Sequence, residues 1–475
     1  MKRLAYIVCV IWLAGSLAAQ DQQILSQTEL LGTARYVGMA GAMTAVGGDP
    51  SAVKDNPAGL GVYRRLEVML TLEEKLDKVH QYGTSSNVAG RNAFMATQAS
   101  FVFSMLDDSR SRGLIANNFI LSYHRIKNFE REYSAGYSDD IFSLSDVAAL
   151  KTNGLKPSDL QPEERWDNPE VAWLSCQAYD TYLIDYDPND PSLWTSKLRA
   201  GDVVHTHLHI KETGNINQFT FGWGGNISNR YFVGVSLNML SLYHNQTVQY
   251  TEYFRDSCGL YNDTYVSFSG VGVNAAVGFI AHPVRWLRLG VSLTTPSYTS
   301  ITVTSYGDLR GILPKTDTIS ATPQSRITDK SLNLPLRVSA GAAFQLKNYG
   351  LLSLQYDMAY DKSIYMTHTL RAGLEGVIVD RFFLNAGYAF ESTFTQPQAK
   401  MLPYNAVRTD AYSQFSNHSH YITAGFGYRS THISIHGAYR LRMQQFDTFA
   451  HELATPYDLR AMTHSVVISI GFHTR

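Results

Sequence analysis

The sequence has no long apolar run once its first twenty residues are set aside. A helix that crosses a bilayer needs about 20 consecutive, predominantly apolar residues, so we expect no such helix in the rest of the chain. If the protein lies in a membrane, it has to cross it with β-strands closed into a barrel, since only helices and closed barrels satisfy every backbone hydrogen bond in lipid.

Local motifs of enzymes are missing as well. The sequence contains no GxSxG, no HExxH, and neither GxxxxGKS nor GxxxxGKT, the patterns of serine hydrolases, zinc peptidases and P-loop nucleotide-binding proteins. The net charge of the chain is -1, which indicates no nucleic-acid partner. We therefore expect neither an enzyme nor a bound cofactor.

Cysteine is scarce in the chain. Cys9 lies within the N-terminal apolar run, which leaves Cys176 and Cys258 in the remainder. Export to an oxidising compartment would let these two thiols pair if the fold brings them within reach. Two unpaired loop thiols are the alternative.

Residues 1–20 have the order of a secretory signal peptide. Lys2 and Arg3 come first, the apolar run of residues 4–14 follows, and small residues lie between Ala14 and Ala19. This arrangement directs a chain out of the cytoplasm and is then removed. We expect cleavage near Ala19 or Gln20.

Apolar and polar residues alternate in repeated segments over most of the remaining chain. Such a segment is typical of a transmembrane β-strand, which faces lipid with one side and the lumen with the other. In the first of them, Val68, Leu70 and Leu72 fall on one face, and Glu67 and Glu73 fall on the other. The predicted strands are 64–75, 92–105, 115–125, 215–226, 230–252, 263–281, 285–304, 332–346, 350–361, 366–377, 381–391, 418–428, 431–442 and 462–473. The sequence therefore predicts an all-β fold, a 14-stranded antiparallel transmembrane β-barrel within residues 63–475.

The connections between these strands alternate in length. Short turns such as 227–229 alternate with long connections, which are 126–214, 305–331, 392–417 and 443–461. Outer-membrane barrels have short periplasmic turns and long external loops, so the pattern places both termini in the periplasm. A secreted β-sandwich or propeller is the alternative, although its strands are usually about 5–6 residues long.

The aromatic residues and the last strand agree with a membrane location. The chain has 29 tyrosines, many of them near strand ends, where aromatic girdles meet lipid headgroups. Val466, Ile468, Ile470 and Phe472 form an apolar face that resembles the recognition signal of the barrel-assembly machinery. We therefore expect outer-membrane lipid and this machinery as partners.

The segment before the first strand is rich in glycine and alanine and carries motifs in a definite order. Residues 38–45 read GMAGAMTA, residues 49–53 read DPSAV, and residues 56–60 read NPAGL. In this order and spacing the sequence resembles the FadL/TodX family of outer-membrane transporters for hydrophobic compounds. The resemblance implies that residues 21–62 form a hatch that plugs the lumen of the barrel.

Within the hatch, the resemblance implies gating roles for residues of these motifs. They are Gly38, Gly41, Thr44, Gly48, Asp49, Asn56, Pro57, Gly59 and Leu60. Small residues allow close packing against a curved wall, and Asp49 before Pro50 predicts the cap of a short helix at 52–55. The alternative is that NPAGL is only a turn without a part in gating.

The function that the resemblance implies is passive transport of a hydrophobic small molecule, of the long-chain fatty acid or aromatic hydrocarbon type. Two alternatives share the architecture: a docking or assembly component of protein secretion, and a haemin-binding receptor. His205, His207 and His209 lie at alternate positions of one strand-like segment, where they could face one metal or haem iron. A solvated hairpin is the other reading of these histidines, and we expect no metal.

Polar residues on the predicted lumen side of the strands complete the candidate path. They are Arg337, Asp357, Arg371, Glu375, Glu391, His436 and Arg440. A barrel lumen satisfies such charges in pairs and with water, so we interpret them as lining and not as catalytic groups.

The connection 126–214 combines a predicted helix at 144–152 with large apolar side chains. These are Trp166, Trp173, Leu174, Tyr182, Leu183 and Trp194. They either collect a hydrophobic ligand outside the barrel or pack the loop on itself.

Overall fold

The computed structural model describes most of the chain. The described ranges are 29–82, 89–106, 112–168, 170–198, 202–254, 258–313, 318–323, 325–347, 349–360, 365–379, 381–395, 413–451 and 453–474. The predicted signal peptide and the first residues of the predicted hatch, 21–28, lie outside them. Within these ranges no helix is long and apolar enough to cross a membrane.

Strands dominate the structure. They are β1 (Glu67–Gln81), β2 (Ala89–Leu106), β3 (Leu114–Asn128), β4 (Arg131–Asp140), β5 (Ile184–Tyr186), β6 (Trp194–Ser196), β7 (Val204–Ile227), β8 (Tyr231–Tyr253), β9 (Gly259–Val284), β10 (Leu287–Thr294), β11 (Ser297–Ile312), β12 (Ile319–Ala321), β13 (Arg326–Leu334), β14 (Leu336–Gln345), β15 (Gly350–Tyr360), β16 (Tyr365–Val379), β17 (Phe382–Thr395), β18 (Ser413–Arg429), β19 (Ile433–Phe449) and β20 (Tyr457–His473).

These strands form a closed antiparallel barrel. Three pairs of consecutive segments, β3 with β4, β10 with β11, and β13 with β14, each form one continuous strand of the wall. The wall therefore has fourteen strands, and β12 is a short addition at its rim. β1 pairs with β20 from Glu67↔His473 to Gln81↔Leu459, which closes the ring. The predicted 14-stranded all-β barrel is therefore confirmed.

The exterior of the barrel shows why these residues form strands in a membrane. On β8 the outward side chains of Val235, Leu237, Met239 and Tyr243 are exposed, and the alternate residues face the lumen and are buried. Large apolar side chains exposed in series along one face of a strand require lipid around them. The chain is therefore an outer-membrane barrel.

The four predicted long loops are shorter in the structure, because the strands continue into them. β4 and the first half of β7 lie in the predicted loop 126–214, the ends of β11 and β13 in 305–331, the ends of β17 and β18 in 392–417, and the ends of β19 and β20 in 443–461. Beyond the lipid belt the outward residues no longer need to be apolar, as Asn245 and Gln249 of β8 illustrate. The alternation that marked the strands fades there, whereas the hydrogen-bonded ladder continues.

The connection between β4 and β7 folds into a compact unit, the cap (residues 141–168 and 170–198). It contains helices Leu144–Thr152 and Trp173–Asp180, the short 3-10 helices Pro157–Asp159 and Glu163–Trp166, and the β5–β6 hairpin. The first helix occupies the predicted residues, and Ser143 and Asp146 form a capping box at its start.

The cap packs into the mouth of the barrel. Its buried Leu144, Trp173, Leu183 and Trp194 belong to the interior of the unit, and most of them join one apolar core with lumen-facing side chains of the wall. Those wall residues include Tyr133, Leu208, Tyr250, Phe446 and Leu459. Of the predicted loop aromatics only Tyr182 is mostly exposed, so the cap packs on itself and on the barrel. Cys176 is buried within it, and no disulfide joins Cys176 to Cys258.

Candidate functional site: hatch, lumen and wall

The hatch (residues 29–63) lies inside the bore, at the end of the barrel where the short turns are. It consists of helix Ala34–Gly38 and the 3-10 helices Pro50–Lys54 and Pro57–Val62. The side chains of Thr33, Asp49 and Asn56 cap the three helices, each by accepting a hydrogen bond from a backbone N–H two or three residues on. The predicted short helix at 52–55 thus begins two residues earlier, at Pro50, which suits the first position of a helix.

Glycines of the wall make room for the hatch. A Cβ built on Gly373 would lie 2.6 Å from the Met39 carbonyl oxygen, and one on Gly387 would lie 2.7 Å from the Ala40 Cβ. The same crowding by hatch atoms occurs at Gly224, Gly234, Gly278 and Gly290. Sequence reasoning missed these residues, although each is a glycine at a lumen-facing position of a strand.

Polar contacts hold the hatch to the wall. Arg35 forms a bidentate ion pair with Glu375 of β16, at 2.7 and 2.8 Å. Further contacts are Ala34 N–H to Ser469 Oγ (2.7 Å), Thr423 Oγ1 to the Gly38 carbonyl (3.0 Å), Thr44 N–H to Gln355 Oε1 (2.9 Å), and Asn118 Nδ2 to the Leu60 carbonyl (2.6 Å). The hatch is thereby fixed to several sides of the bore at once.

Five side chains form a hydrogen-bonded group at the top of the hatch, which we call the latch. The Tyr36 hydroxyl lies 2.5 Å from Asp55 Oδ2, 2.7 Å from Lys54 Nζ and 2.9 Å from an Arg371 guanidinium nitrogen. Arg371 also pairs with Asp357 of β15 at 2.9 Å. Burial opposes the charge of Asp55, but Lys54 and Arg371 outweigh it and hold the pKa of this carboxyl below its usual value.

A charged cavity with an empty volume of about 780 Å³ lies above the latch. Its lining includes Glu29, Arg337 and Glu391 together with the latch residues Lys54, Asp55, Asp357 and Arg371. The other predicted lumen residues lie nearby. Glu375 holds Arg35, Arg440 pairs with Glu73 at 2.6 Å, and His436 is buried on β19. All seven predicted lumen residues therefore face the bore.

Next to this cavity the lumen is apolar. Lumen-facing residues of β3, β7, β8, β9, β11 and β13 and of the β3–β4 link form a buried group, the lumen cluster, which consists of Ile126, Phe129, Ile216, Leu240, Leu242, Val266, Phe268, Ile301, Val303, Leu332 and Leu334. Ile126 also lines the charged cavity, so the two spaces adjoin. The cluster could have been found in the sequence, because apolar and polar residues stop alternating at Met239-Leu240 and Leu242-Tyr243. There the lumen-facing residues of β8 are apolar as well as the outward ones.

The wall is interrupted where cavity and cluster meet. β10 ends at Thr294, opposite Arg337, and β11 begins at Ser297, opposite Leu334. Between these pairs lie Pro296 on one strand and Pro335 on the other, and neither has an N–H to donate to the ladder. We call this interruption the proline break.

The predicted hatch residues occupy defined places. Gly38 lies against Asn385 and Gly425 of the wall, Gly41 and Gly48 have positive φ angles of 74° and 64°, and Gly59 is close to Gly47. The remaining ones take part in the contacts given above. Pro57 begins a 3-10 helix against β7 and β8, so NPAGL is more than a free turn.

The three candidate metal ligands lie on the outside of the barrel. His205, His207 and His209 have outward positions on β7, and His209 is 2.9 Å from Ser134 Oγ. Among the described residues, no group of three His, Cys, Asp or Glu side chains could hold a metal ion. The histidines therefore give the haemin alternative no support.

The architecture as a whole is similar to that of solved channels. A FadL homologue from Pseudomonas aeruginosa matches 94% of this chain and 98% of its own length, with 13% identity and a TM-score of 0.55. The monoaromatic hydrocarbon channel CymD matches 94% and 99%, with 10% identity and a TM-score of 0.53. The chain has the FadL fold. The toluene transporter TbuX from Ralstonia pickettii shares this fold over 94% and 99%, with 12% identity and a TM-score of 0.50.

The predicted resemblance to FadL-type channels is thus confirmed at the level of the fold, including the plug before β1. The structural agreement over 94% of the chain establishes the FadL fold, and at identities of 10–13% the ligand has to be argued from the site. No family model and no curated protein matches this chain.

Proposed function

We propose that this chain is a passive channel for a hydrophobic small molecule, with residues 1–20 as its export signal. The lumen cluster is the observation that carries the proposal. A water-filled porin has a polar interior, whereas this lumen buries leucine, isoleucine, valine and phenylalanine side chains beside the hatch. Such a surface has affinity for an apolar ligand because binding removes apolar area from water.

The ligand class we propose is an aromatic hydrocarbon or a long-chain fatty acid. Two of the channels with this fold are named for toluene and for monoaromatic hydrocarbons. The apolar lining of the lumen cluster suits either class. The hatch fills the bore and the cap fills the mouth, so little water can pass. This argues against a non-specific polar pore.

The route we propose runs from the cap to the lumen cluster and then sideways through the proline break. The charged cavity above the latch is a poor environment for an apolar molecule, since its charged groups would lose hydration. Leu334 belongs to the lumen cluster and lies next to the proline break. The ligand would therefore meet an apolar side chain where it leaves the lumen for the membrane. In this orientation the cap faces the exterior and both termini lie in the periplasm.

The hatch residues are proposed to gate this route. Movement of the hatch requires release of the latch and of the Arg35–Glu375 pair, and the positive φ angles of Gly41 and Gly48 mark the points where its backbone turns. We assign gating to Gly38, Thr44, Asp49, Asn56, Pro57, Gly59 and Leu60 through the contacts described above.

Ligand binding by the purified barrel tests the proposal. Oleate and toluene would be titrated into the protein and into two variants of the lumen cluster, Leu242→Gln and its matched control Leu242→Met. We expect binding to the wild type and to Leu242→Met, since a volume-conserving apolar exchange costs less than about 1.5 kcal/mol. Binding to Leu242→Gln should weaken about tenfold. Failure of the wild type to bind either probe, or equal binding by both variants, would exclude the proposed path.

A further inference from the structure

A second cavity, the basic pocket, lies on the side of the hatch that faces away from the cap. Its empty volume is about 1010 Å³. Val46, Gly48 and Val62 of the hatch line it, together with Arg65 before β1 and Ser430 in the turn between β18 and β19. The pocket therefore opens at the end of the barrel that carries the short turns, which is the periplasmic end in the proposed orientation.

Positive charge dominates the basic pocket. Its lining includes five arginines, which are Arg35, Arg64, Arg65, Arg288 and Arg429. Glu67 is the one acidic residue of the described lining, and its carboxylate is already engaged by His473 Nδ1 at 3.0 Å and by the Tyr63 hydroxyl at 3.3 Å. The pocket thus keeps an excess of positive charge even after Glu375 has paired with Arg35.

Arg288 is the clearest case of a charge without a carboxylate partner. Its side chain is half-buried near the start of β10, and it donates to the Val46 carbonyl at 3.1 Å. No carboxylate of the described residues lies within ion-pair distance of it. Arg35 adds repulsion, since the two like charges are close enough to interact. A half-buried cation in these surroundings would be stabilised by an anion from outside the chain.

Arg35 and Arg288 stand side by side in the basic pocket. Arg35 Nη1 donates to the Gly48 carbonyl at 3.2 Å, and Arg288 donates to the Val46 carbonyl. These carbonyl groups are two residues apart, a span of at most about 7 Å of backbone. A guanidinium has five N–H donors, of which Arg35 uses three for Glu375 and Gly48 and Arg288 uses one for Val46. Donors therefore remain on both groups for a ligand that contacts the two.

We propose that the basic pocket binds a phosphate group, with Arg35 and Arg288 as its principal donors. A phosphate monoester carries a charge of about −1.5 to −2 at pH 7 and offers three acceptor oxygens, which suits two guanidinium groups with spare donors. A carboxylate brings one charge and two oxygens, so it would leave more of the positive charge uncompensated.

The volume of the basic pocket leaves room for the group that carries the phosphate. That group is either a small soluble molecule of the periplasm or a lipid of the inner leaflet, and the phosphate chemistry is the same for both. The inference does not depend on transport of a hydrophobic molecule, because the basic pocket is separate from the lumen cluster.

Titration calorimetry of the full-length processed barrel tests the inference. Glycerol 3-phosphate and glycerate are similar in size and differ in the anionic group, and short-chain phosphatidic acid carries the same phosphate on a lipid. We expect one of the two phosphate compounds to bind at least about tenfold more tightly than glycerate. Binding of glycerol 3-phosphate identifies a soluble ligand, whereas binding of phosphatidic acid alone identifies a lipid headgroup. Equal binding of glycerate, or binding of neither phosphate compound, would overturn the phosphate site.

Matched variants locate the bound phosphate. Arg288→Gln removes one of the two principal donors, and Arg285→Gln removes a charge in the turn between β9 and β10, outside the pocket lining. We expect the first to weaken binding about tenfold and the second to leave it unchanged. Equal affinity of these two variants would refute the site.

A third variant separates loss of the site from loosening of the hatch. Arg429 lines the basic pocket, and its side chain has no hydrogen bond to the described hatch residues. Arg429→Gln should therefore weaken phosphate binding through charge alone, and unchanged binding would contradict the part assigned to the surrounding arginines. Heat-modifiable electrophoretic mobility verifies that each barrel has closed.

Discussion

Arg35 and Glu375 illustrate how single residues set the state of the hatch. Their charged groups are about nine-tenths buried and belong to different parts of the chain, the hatch and β16. A buried ion pair contributes little net stability, but removal of one partner leaves an uncompensated charge. The pair therefore acts as a specific fastening of the hatch to one side of the bore.

We expect Glu375→Gln to loosen the hatch. The uncompensated Arg35 should destabilise its packing by about 3–5 kcal/mol. Planar-bilayer recordings should then show frequent current steps that the wild type lacks. The double variant Arg35→Met with Glu375→Gln removes both charges and should again lack frequent current steps. Equal currents in the single and double variants would mean that the ion pair does not hold the hatch.

Residue-scale contacts were only partly predictable. The charged lumen residues followed from strand alternation, because every second residue of a barrel strand faces inward. Their partners did not, since Arg35 and Glu375 are 340 positions apart in the sequence. The role of Gly234 and Gly373 could not be predicted from the sequence. These glycines leave space for hatch atoms, and only the fold brings those atoms next to them.

At the scale of elements, strands were predictable where lipid lies on one side. Their ends were not, because above the lipid belt both faces of β7 and β11 meet water or the cap, and composition no longer separates the two faces. The cap helix Leu144–Thr152 was predictable from its local sequence, whereas Trp173–Asp180 was missed. That helix has no side-chain N-cap, and its burial against the barrel stabilises it.

The proline break gives an element-scale prediction. Pro296→Ala with Pro335→Ala restores two N–H donors, so that the ladder between the flanking strands can extend across the break. We expect uptake of toluene into vesicles to slow several-fold while toluene binding is unchanged. Pro283→Ala, near the turn at the end of β9, is the matched control and should have no effect. Unchanged uptake in the double variant would exclude the break as the exit.

Attachment of the cap should depend on pH. His451, in the loop after β19, is fully buried, 3.6 Å from Glu252 and in an edge-on contact with Tyr250. Burial, helped by the charge of Lys151, lowers the pKa of His451 to about 3. The stability that neutral His451 gives to the folded cap is thus complete above the unfolded pKa of about 6.5 and is lost as pH falls toward 3. Burial raises the pKa of Glu252 from 4.5 to about 7, so Glu252 has the opposite effect on stability between these two pH values.

Limited proteolysis of the cap between pH 7 and pH 4 measures this effect. In a Glu252→Gln protein, in which residue 252 no longer titrates, we expect cleavage within residues 141–198 to increase as the pH falls, because His451 takes up a proton when its surroundings open. His451→Phe keeps an aromatic ring without the titrating group and should flatten the profile. A flat profile in the Glu252→Gln protein with His451 intact would show that His451 does not control the cap.

The whole molecule has two separate closures, the hatch and the cap, and they should differ in function. Deletion of residues 21–62 together with replacement of the cap by a short Gly-Ser turn is expected to give a conducting barrel, since a wall of this size encloses an aqueous channel once emptied. Replacement of residues 141–203 by a short Gly-Ser turn should leave conductance near zero, because the hatch still fills the bore. Single-channel recording compares the two, and equal conductance would contradict the assignment of the seal to the hatch.

The seam between β1 and β20 bears on how the molecule is assembled. The hatch touches both sides of it: the Ala34 N–H donates to Ser469 Oγ on β20, and the Tyr63 hydroxyl donates to Glu67 Oε1 on β1. The segment made first is therefore enclosed by the strand made last, and the sheet winds around it as around an internal template. A chain that stops before β20 would lose the Ser469 contact together with the seam, so closure of the ring and attachment of the hatch to the last strand would belong to the same step.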